Sequence, residues 1–165
     1  MRRSSSLTVS DRVLRVLLVV NWVYGALILA LLIASLVAEE QVMGALGARP
    51  AAGMRQIAVL GILAVPLAHL VLTQLLRIVR SVRVGDPFVS ENAARLRTIA
   101  WSVLGLELLH LVVGVAAARA SSETAPLDID WSFSLTPWLA VLLLFVLARV
   151  FEQGARMREE LAGTI

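Results

Sequence analysis

Four long runs without charged residues dominate the pattern of the chain. They cover residues 16–38, 56–76, 98–118 and 131–148, and the one charge inside them is Glu107. At about 1.5 Å per residue, each run is long enough to cross about 30 Å of hydrocarbon, the last only just. The pattern predicts an all-α fold, a four-helix transmembrane bundle with helices at about 13–38, 56–80, 91–118 and 132–161.

The polar segments between and beyond the runs are too short to form a second domain. Residues 1–12 are serine-rich and aperiodic, which indicates a flexible cytoplasmic tail before a single membrane domain over 13–165. In the connection between helices 2 and 3, Gly85-Asp86-Pro87 is a turn signal, and Ser90 is a suitable N-cap for a helix that starts near Glu91. After helix 4 we expect an amphipathic helical tail with one apolar face, formed by Val150, Gly154, Met157 and Leu161.

Composition and charge agree with a membrane protein. The chain is 59% hydrophobic with a mean hydropathy of +0.84, whereas soluble domains are about 45–50% apolar. All fifteen basic residues are arginine, and all but Arg49, Arg55 and Arg119 lie before helix 1, between helices 2 and 3, or after helix 4. The positive-inside rule therefore places both termini and the helix 2–3 connection in the cytoplasm. The absence of cysteine excludes disulfides and thiolate metal sites.

Glu107 is the residue that most needs an explanation, because a carboxylate in a membrane span costs roughly 2.5–3.5 kcal/mol on insertion scales. Counted from the cytoplasmic ends of the runs, Asn21, Tyr24 and His69 lie within about 10 Å of it along the membrane normal, and His110 shares its face of helix 3. We therefore predict an intramembrane polar cluster of Asn21, Tyr24, His69, Glu107 and His110. Such a cluster forms either interhelical hydrogen bonds or a ligand-sensing or proton-linked site.

Cofactor binding by this cluster is disfavoured. His69 and His110 differ in depth by about 7 Å, which is awkward for two axial ligands of one haem iron. A zinc site of Glu107 with both histidines lacks a fourth ligand. We expect no cofactor and no metal.

Two segments carry a family resemblance. The segment Val84-Gly85-Asp86-Pro87-Phe88-Val89-Ser90-Glu91-Asn92-Ala93-Ala94-Arg95-Leu96-Arg97 and the ending Val150-Phe151-Glu152-Gln153-Gly154-Ala155 resemble the bacterial membrane family catalogued as domain of unknown function 2975, DUF2975. The resemblance implies a multi-pass protein of the bacterial cytoplasmic (inner) membrane. Members are often described beside small Cro-type helix-turn-helix regulators, which implies a membrane partner that holds or releases a DNA-binding protein. The motif residues that would form the contact surface are Phe88, Glu91, Asn92, Arg95 and Arg97.

The leading functional hypothesis is therefore a non-enzymatic, regulatory membrane protein that binds a cytoplasmic partner through the 85–97 loop and the C-terminal tail. The alternative is a small proton-coupled transporter or an intramembrane ligand sensor centred on Glu107. An enzyme is not expected, since the chain has no Gly-x-Ser-x-Gly, no His-Glu-x-x-His and no phosphate-binding glycine loop. Expected partners are membrane lipid, a small DNA-binding regulator and a second copy of the chain, without direct contact to nucleic acid.

Overall fold

The computed structural model describes the backbone of residues 2–37, 51–85, 88–120 and 134–162. All regular structure in these residues is α-helical, in four helices: α1 (Arg2–Val37), α2 (Ala51–Val84), α3 (Ser90–Ala120) and α4 (Thr136–Ala162). Each helix contains a stretch that is long and apolar enough to cross a membrane. The predicted all-α fold with four membrane-compatible helices is confirmed.

The helices extend beyond the apolar runs that predict them. The first helix begins at Arg2, so the structure has helix where a flexible tail over residues 1–12 was predicted. No proline or glycine interrupts the chain before Gly25, and a helix that forms in the apolar run therefore continues toward the N-terminus at little cost. α1 has 36 residues, which is about 54 Å of helix and well above the hydrocarbon thickness of about 30 Å.

The four helices pack in chain order. Among the described residues, extensive contacts join α1 to α2, α2 to α3 and α3 to α4, so α1 and α4 form the two flanks. On α1, the side chains that face α2 recur every three or four residues, as in other antiparallel helix pairs. The backbones come close at Gly25, where a Cβ atom would lie 3.1 Å from Cγ1 of the buried Val65. Most other apolar side chains of α1 face outward, as membrane lipid requires.

The start of α1, the end of α2, the start of α3 and the end of α4 lie at the same end of the molecule. We call this the terminal end; among the described residues it comprises the start of α1, residues 77–85 and 88–97, and residues 149–162 of α4. Gly85 closes α2 with a φ of 92°, and its amide donates to the Val82 carbonyl at 3.1 Å, as expected for a glycine that ends a helix. Asp86 and Pro87 of the predicted turn, residues 132–133 of the predicted helix 4 and residues 163–165 of the tail lie outside the described residues. The opposite end, where α1 ends and α2 begins and where α3 ends and α4 begins, is called the loop end.

Candidate functional site

A buried carboxylate joins α1 to α2 at the terminal end. Asp11 is only 6% exposed, and its Oδ2 lies 2.8 Å from Nη2 of Arg15, one turn along the same helix. Its Oδ1 lies 3.4 Å from Nε of Arg80 on α2. The two arginine side chains are more than half exposed, so solvent screens both ion pairs in part. One acidic side chain therefore holds the start of α1 against the end of α2.

A buried amide joins α2 to α3 through the family motif. Asn92 is fully buried, with 0% of its surface exposed. Its Nδ2 donates to Oγ of Ser81 on α2 at 2.7 Å, and its Oδ1 accepts a hydrogen bond from Nη1 of Arg95 at 2.7 Å. Burying an amide costs free energy unless its N–H and C=O groups are hydrogen-bonded, and both groups of the Asn92 side chain have partners. Asn92 and Arg95, which were predicted to contact a partner, thus make contacts inside the protein.

A third set of polar contacts joins α3 to α4. Glu152 of α4 accepts a hydrogen bond on Oε2 from Nη2 of Arg97, at 3.0 Å. Its Oε1 accepts a second one from Nη2 of Arg156, also at 3.0 Å. Glu152 and Arg156 are four residues apart on the same helix, one turn from each other. One turn further into the apolar span, the rings of Trp101 and Phe145 meet edge to face with centroids 5.2 Å apart.

The Phe88 ring connects the helix 2–3 connection to α4. Its centroid lies 5.3 Å from that of Phe151, and a Cβ atom on Gly154 would lie 3.2 Å from its Cδ1. The missing side chain at Gly154 therefore leaves the space in which the ring packs. The predicted apolar face of the tail packs against the connection at this point.

Beyond Gly154 the same face of α4 is exposed. Met157 follows one turn later and is 60% exposed, Leu161 is 71% exposed, and Phe88 keeps 47% of its surface exposed. We call these three residues the apolar strip. Glu91, on the first turn of α3, is exposed and makes no ion pair with the described residues, because Arg95 bonds to Asn92 instead. Of the five predicted contact residues, Glu91 and Phe88 are therefore the ones that combine exposure with freedom from a polar bond.

The predicted intramembrane cluster is brought together only in part. Nδ2 of Asn21 on α1 donates to the Val65 carbonyl of α2 at 3.2 Å. The Trp22 ring meets the His69 ring edge to face with centroids 5.5 Å apart. His69 Nδ1 is buried without a hydrogen-bond partner in the described part of the chain. Tyr24 is exposed, and its hydroxyl has no hydrogen bond to a described residue.

Glu107 lies on a different side of the helix array. Gly105, two residues earlier, contacts Leu67 of α2, and two residues correspond to about 200° around a helix. Glu107 therefore points away from α2 and is separated from Asn21 and His69. Its carboxylate is partly buried and has no hydrogen bond or ion pair within the described residues. His110 is exposed, and no group of three or more His, Cys, Asp or Glu side chains suited to a metal ion occurs in the described part.

The terminal-end contacts also depend on residues that were not predicted to take part in a site. Asp11 and Ser81 belong to neither motif segment, and Phe151 and Glu152 belong to the ending that carries the resemblance. One signal was available for Asp11, the only acidic residue of the arginine-rich N-terminal segment, four residues before Arg15. The other partners follow only from the way in which the helices pair.

Comparison with known proteins identifies the family of the chain. No curated protein and no solved structure matches the chain. The family model described as "Protein of unknown function (DUF2975)" matches residues 12–165, which include all four membrane-compatible helices and both motif segments. The chain therefore belongs to the DUF2975 family.

Proposed function

We propose that this is a non-enzymatic, regulatory protein of the bacterial inner membrane that binds a cytoplasmic partner at its terminal end. The partner we propose is a small helix-turn-helix regulator, as the family resemblance implies. The observation that carries the proposal is the apolar strip of Phe88, Met157 and Leu161, which is exposed and whose Phe88 ring packs against Phe151 and Gly154 of the motif ending. In this proposal the motif residues shape the binding surface, and only some of them touch the partner.

The position of the strip supports contact with a protein in the cytoplasm. Counted from Thr136, the first twenty residues of α4 cover about 30 Å, which is the thickness of the hydrocarbon. Met157 and Leu161 fall beyond that length on the same continuous helix. Exposed apolar side chains outside the membrane are typical of surfaces that bind another protein. The distribution of arginines along the sequence supports a cytoplasmic location for this end.

The charge around the strip indicates what kind of partner fits. Exposed arginine side chains lie beside it on α3 and α4: Arg156 and Arg158 stand on either side of Met157 in the sequence, and Arg97 of α3 binds Glu152, one turn before Arg156. Such a rim favours a partner whose binding face has an apolar centre and acidic residues at its edge. The same rim repels a partner with a basic face, such as the DNA-contacting surface of a regulator. We therefore expect a regulator to bind through a surface other than its DNA-binding helix.

The test is site-specific photocrosslinking in native membranes. A photoreactive amino acid replaces Met157, and in a matched control it replaces Leu135, which is similarly exposed at the opposite end of α4. We expect the probe at Met157 alone to capture a small helix-turn-helix protein. The double variant Met157→Gln/Leu161→Gln should lose that protein in a pull-down, whereas Leu135→Gln should retain it. Equal capture at both positions, or retention by the double variant, would contradict the proposal.

One observation favours a second function, a proton-coupled transporter or an intramembrane ligand sensor. Glu107 is a carboxylate in a membrane-compatible helix, without a hydrogen-bond or ion-pair partner among the described residues. Carboxylates in such positions are expensive, and they commonly serve ion or proton transfer. In liposomes, this alternative predicts substrate-dependent proton flux that disappears in Glu107→Gln. If the proton flux were unchanged in this variant, the proposal of a proton-coupled transporter would be contradicted.

A further inference from the structure

A groove at the loop end lies between the start of α2 and the end of α3. Its volume is about 480 Å³, and its walls are apolar, with Val59 and Leu60 on α2 and Val112 and Val115 on α3. Two arginines, Arg55 and Arg119, lie at its mouth. The groove is far from the terminal end and shares no residue with the site described above.

Arg55 and Arg119 lie at the opposite end of the molecule from most arginines of the chain. Twelve of the fifteen arginines belong to the segments at the terminal end, and Arg49, Arg55 and Arg119 are the others. Arg49 lies outside the described residues, and the other two both line this one groove. Arg55 is also anchored, because its Nη2 donates to the Ser35 carbonyl at the end of α1. The side chain is therefore held at the mouth of the groove.

The depth of the two arginines matches that of lipid phosphates. The charge-free run of α2 begins directly after Arg55, and that of α3 ends directly before Arg119. Both guanidinium groups are thus placed where the hydrocarbon region ends and the headgroups begin. The apolar walls extend from there toward the hydrocarbon, in the direction that an acyl chain takes.

We propose that this groove binds an anionic phospholipid, with its phosphate between Arg55 and Arg119 and one acyl chain along the valine-rich walls. Guanidinium groups bind phosphate oxygens through charge-assisted, often bidentate hydrogen bonds. A zwitterionic lipid offers the same phosphate, but its ammonium group is repelled by the second arginine. The groove therefore selects a lipid with a net negative headgroup, such as one of the phosphatidylglycerol class.

The test is a lipid titration of the purified full-length protein in detergent, followed by native mass spectrometry. Phosphatidylglycerol and phosphatidylcholine with identical acyl chains are compared, and glycerol phosphate serves as a headgroup without chains. We expect the protein to bind phosphatidylglycerol at least fivefold more tightly than phosphatidylcholine. Arg119→Gln should reduce this preference by about fivefold, since one arginine near an anionic surface contributes about 1 kcal/mol.

Two further variants make the test specific. Arg77→Gln removes an exposed arginine at the terminal end and should leave the preference unchanged. Ala116 also lines the groove, so Ala116→Trp fills the groove while both arginines remain, and it should weaken the binding of phosphatidylglycerol as strongly as Arg119→Gln does. Equal losses in Arg77→Gln and Arg119→Gln would show general charge attraction and overturn the proposal. Tight binding of glycerol phosphate, or full lipid binding by Ala116→Trp, would overturn the role of the apolar walls.

Discussion

Replacement of Asn92 by alanine tests whether the motif holds the helices together. The side chain is fully buried. Its Nδ2 donates to the Ser81 hydroxyl, and its Oδ1 accepts from the Arg95 guanidinium and lies within hydrogen-bond distance of the same hydroxyl. The Asn92→Ala variant removes the bonds to both partners and leaves the Ser81 hydroxyl and the Arg95 guanidinium without this side chain. We therefore expect a large loss of stability from a small change in volume.

The magnitude follows from the two bonds. A neutral hydrogen bond such as Asn92–Ser81 contributes about 1 kcal/mol, and one to a charged group such as Arg95 about 1.5–3 kcal/mol. Asn92→Ala should thus lower the free energy of unfolding by about 3 kcal/mol. In a double-mutant cycle with Ser81→Ala, the double variant should lose about 1 kcal/mol less stability than the sum of the two single variants, because the two side chains bond to each other.

The assay is equilibrium unfolding in mixed micelles with increasing dodecyl sulfate, followed by the helical circular dichroism signal. Thr98→Ala is the matched control, since the Thr98 hydroxyl bonds only to the Ala94 carbonyl within the same helix. We expect this control to change the free energy of unfolding by less than about 0.5 kcal/mol. A loss below about 1 kcal/mol in Asn92→Ala, or additive effects in the cycle, would refute the reasoning.

Three further predictions use the same unfolding assay. Asp11→Asn should cost about 1 kcal/mol, because both of its arginine partners are more than half exposed and solvent weakens the pairs; no change would show that Asp11 does not hold α1. Gly25→Leu should cost about 2 kcal/mol or more, since its side chain would displace the stiff, buried Val65 and push α1 away from α2; a neutral result would contradict the close approach. Glu107→Leu should not destabilise the protein, because the carboxylate has no bond to lose within the described residues; a loss above about 1 kcal/mol would reveal a bonded carboxylate.

The four membrane-compatible helices were predictable from the sequence. In hydrocarbon every backbone amide and carbonyl must bond within the chain, so a long charge-free run has few alternatives to a helix. The ends of the helices were less predictable. A run without charged residues ends at the first arginine, but a helix can continue past arginine residues. For this reason α1 starts at Arg2 and α2 ends at Val84, both outside the charge-free runs.

The candidate site shows a second limit of sequence reasoning. The depth count placed Asn21 and His69 at similar levels, and the structure places the helices that carry them side by side, with Trp22 against His69. The depth of a residue along the membrane normal does not determine how its helix is rotated about the helix axis, however. From one residue to the next, the side-chain direction turns by about 100°. For this reason the count could not show that Glu107 points away from α2.

The motif residues illustrate the same limit at the terminal end. The resemblance identified Phe88, Asn92, Arg95 and Arg97 as a group, but it gave no means of separating internal contacts from external ones. Their partners lie as far away as Glu152, which is 55 residues from Arg97. Such pairs depend on the register between helices, which the pattern of a single chain does not encode.

The measurement that tests the central claim most directly is an engineered disulfide between the helix 2–3 connection and α4. The chain contains no cysteine, so the double variant Phe88→Cys/Gly154→Cys carries only the two thiols of interest. The account predicts rapid crosslinking in native membranes under mild oxidation, because Phe88 packs directly over Gly154. The pair Phe88→Cys/Gln153→Cys should crosslink much more slowly, since Gln153 is turned about 100° away on the same helix. Equal rates for the two pairs, or no crosslink in the first, would contradict the claim that the motif fixes this end of the protein.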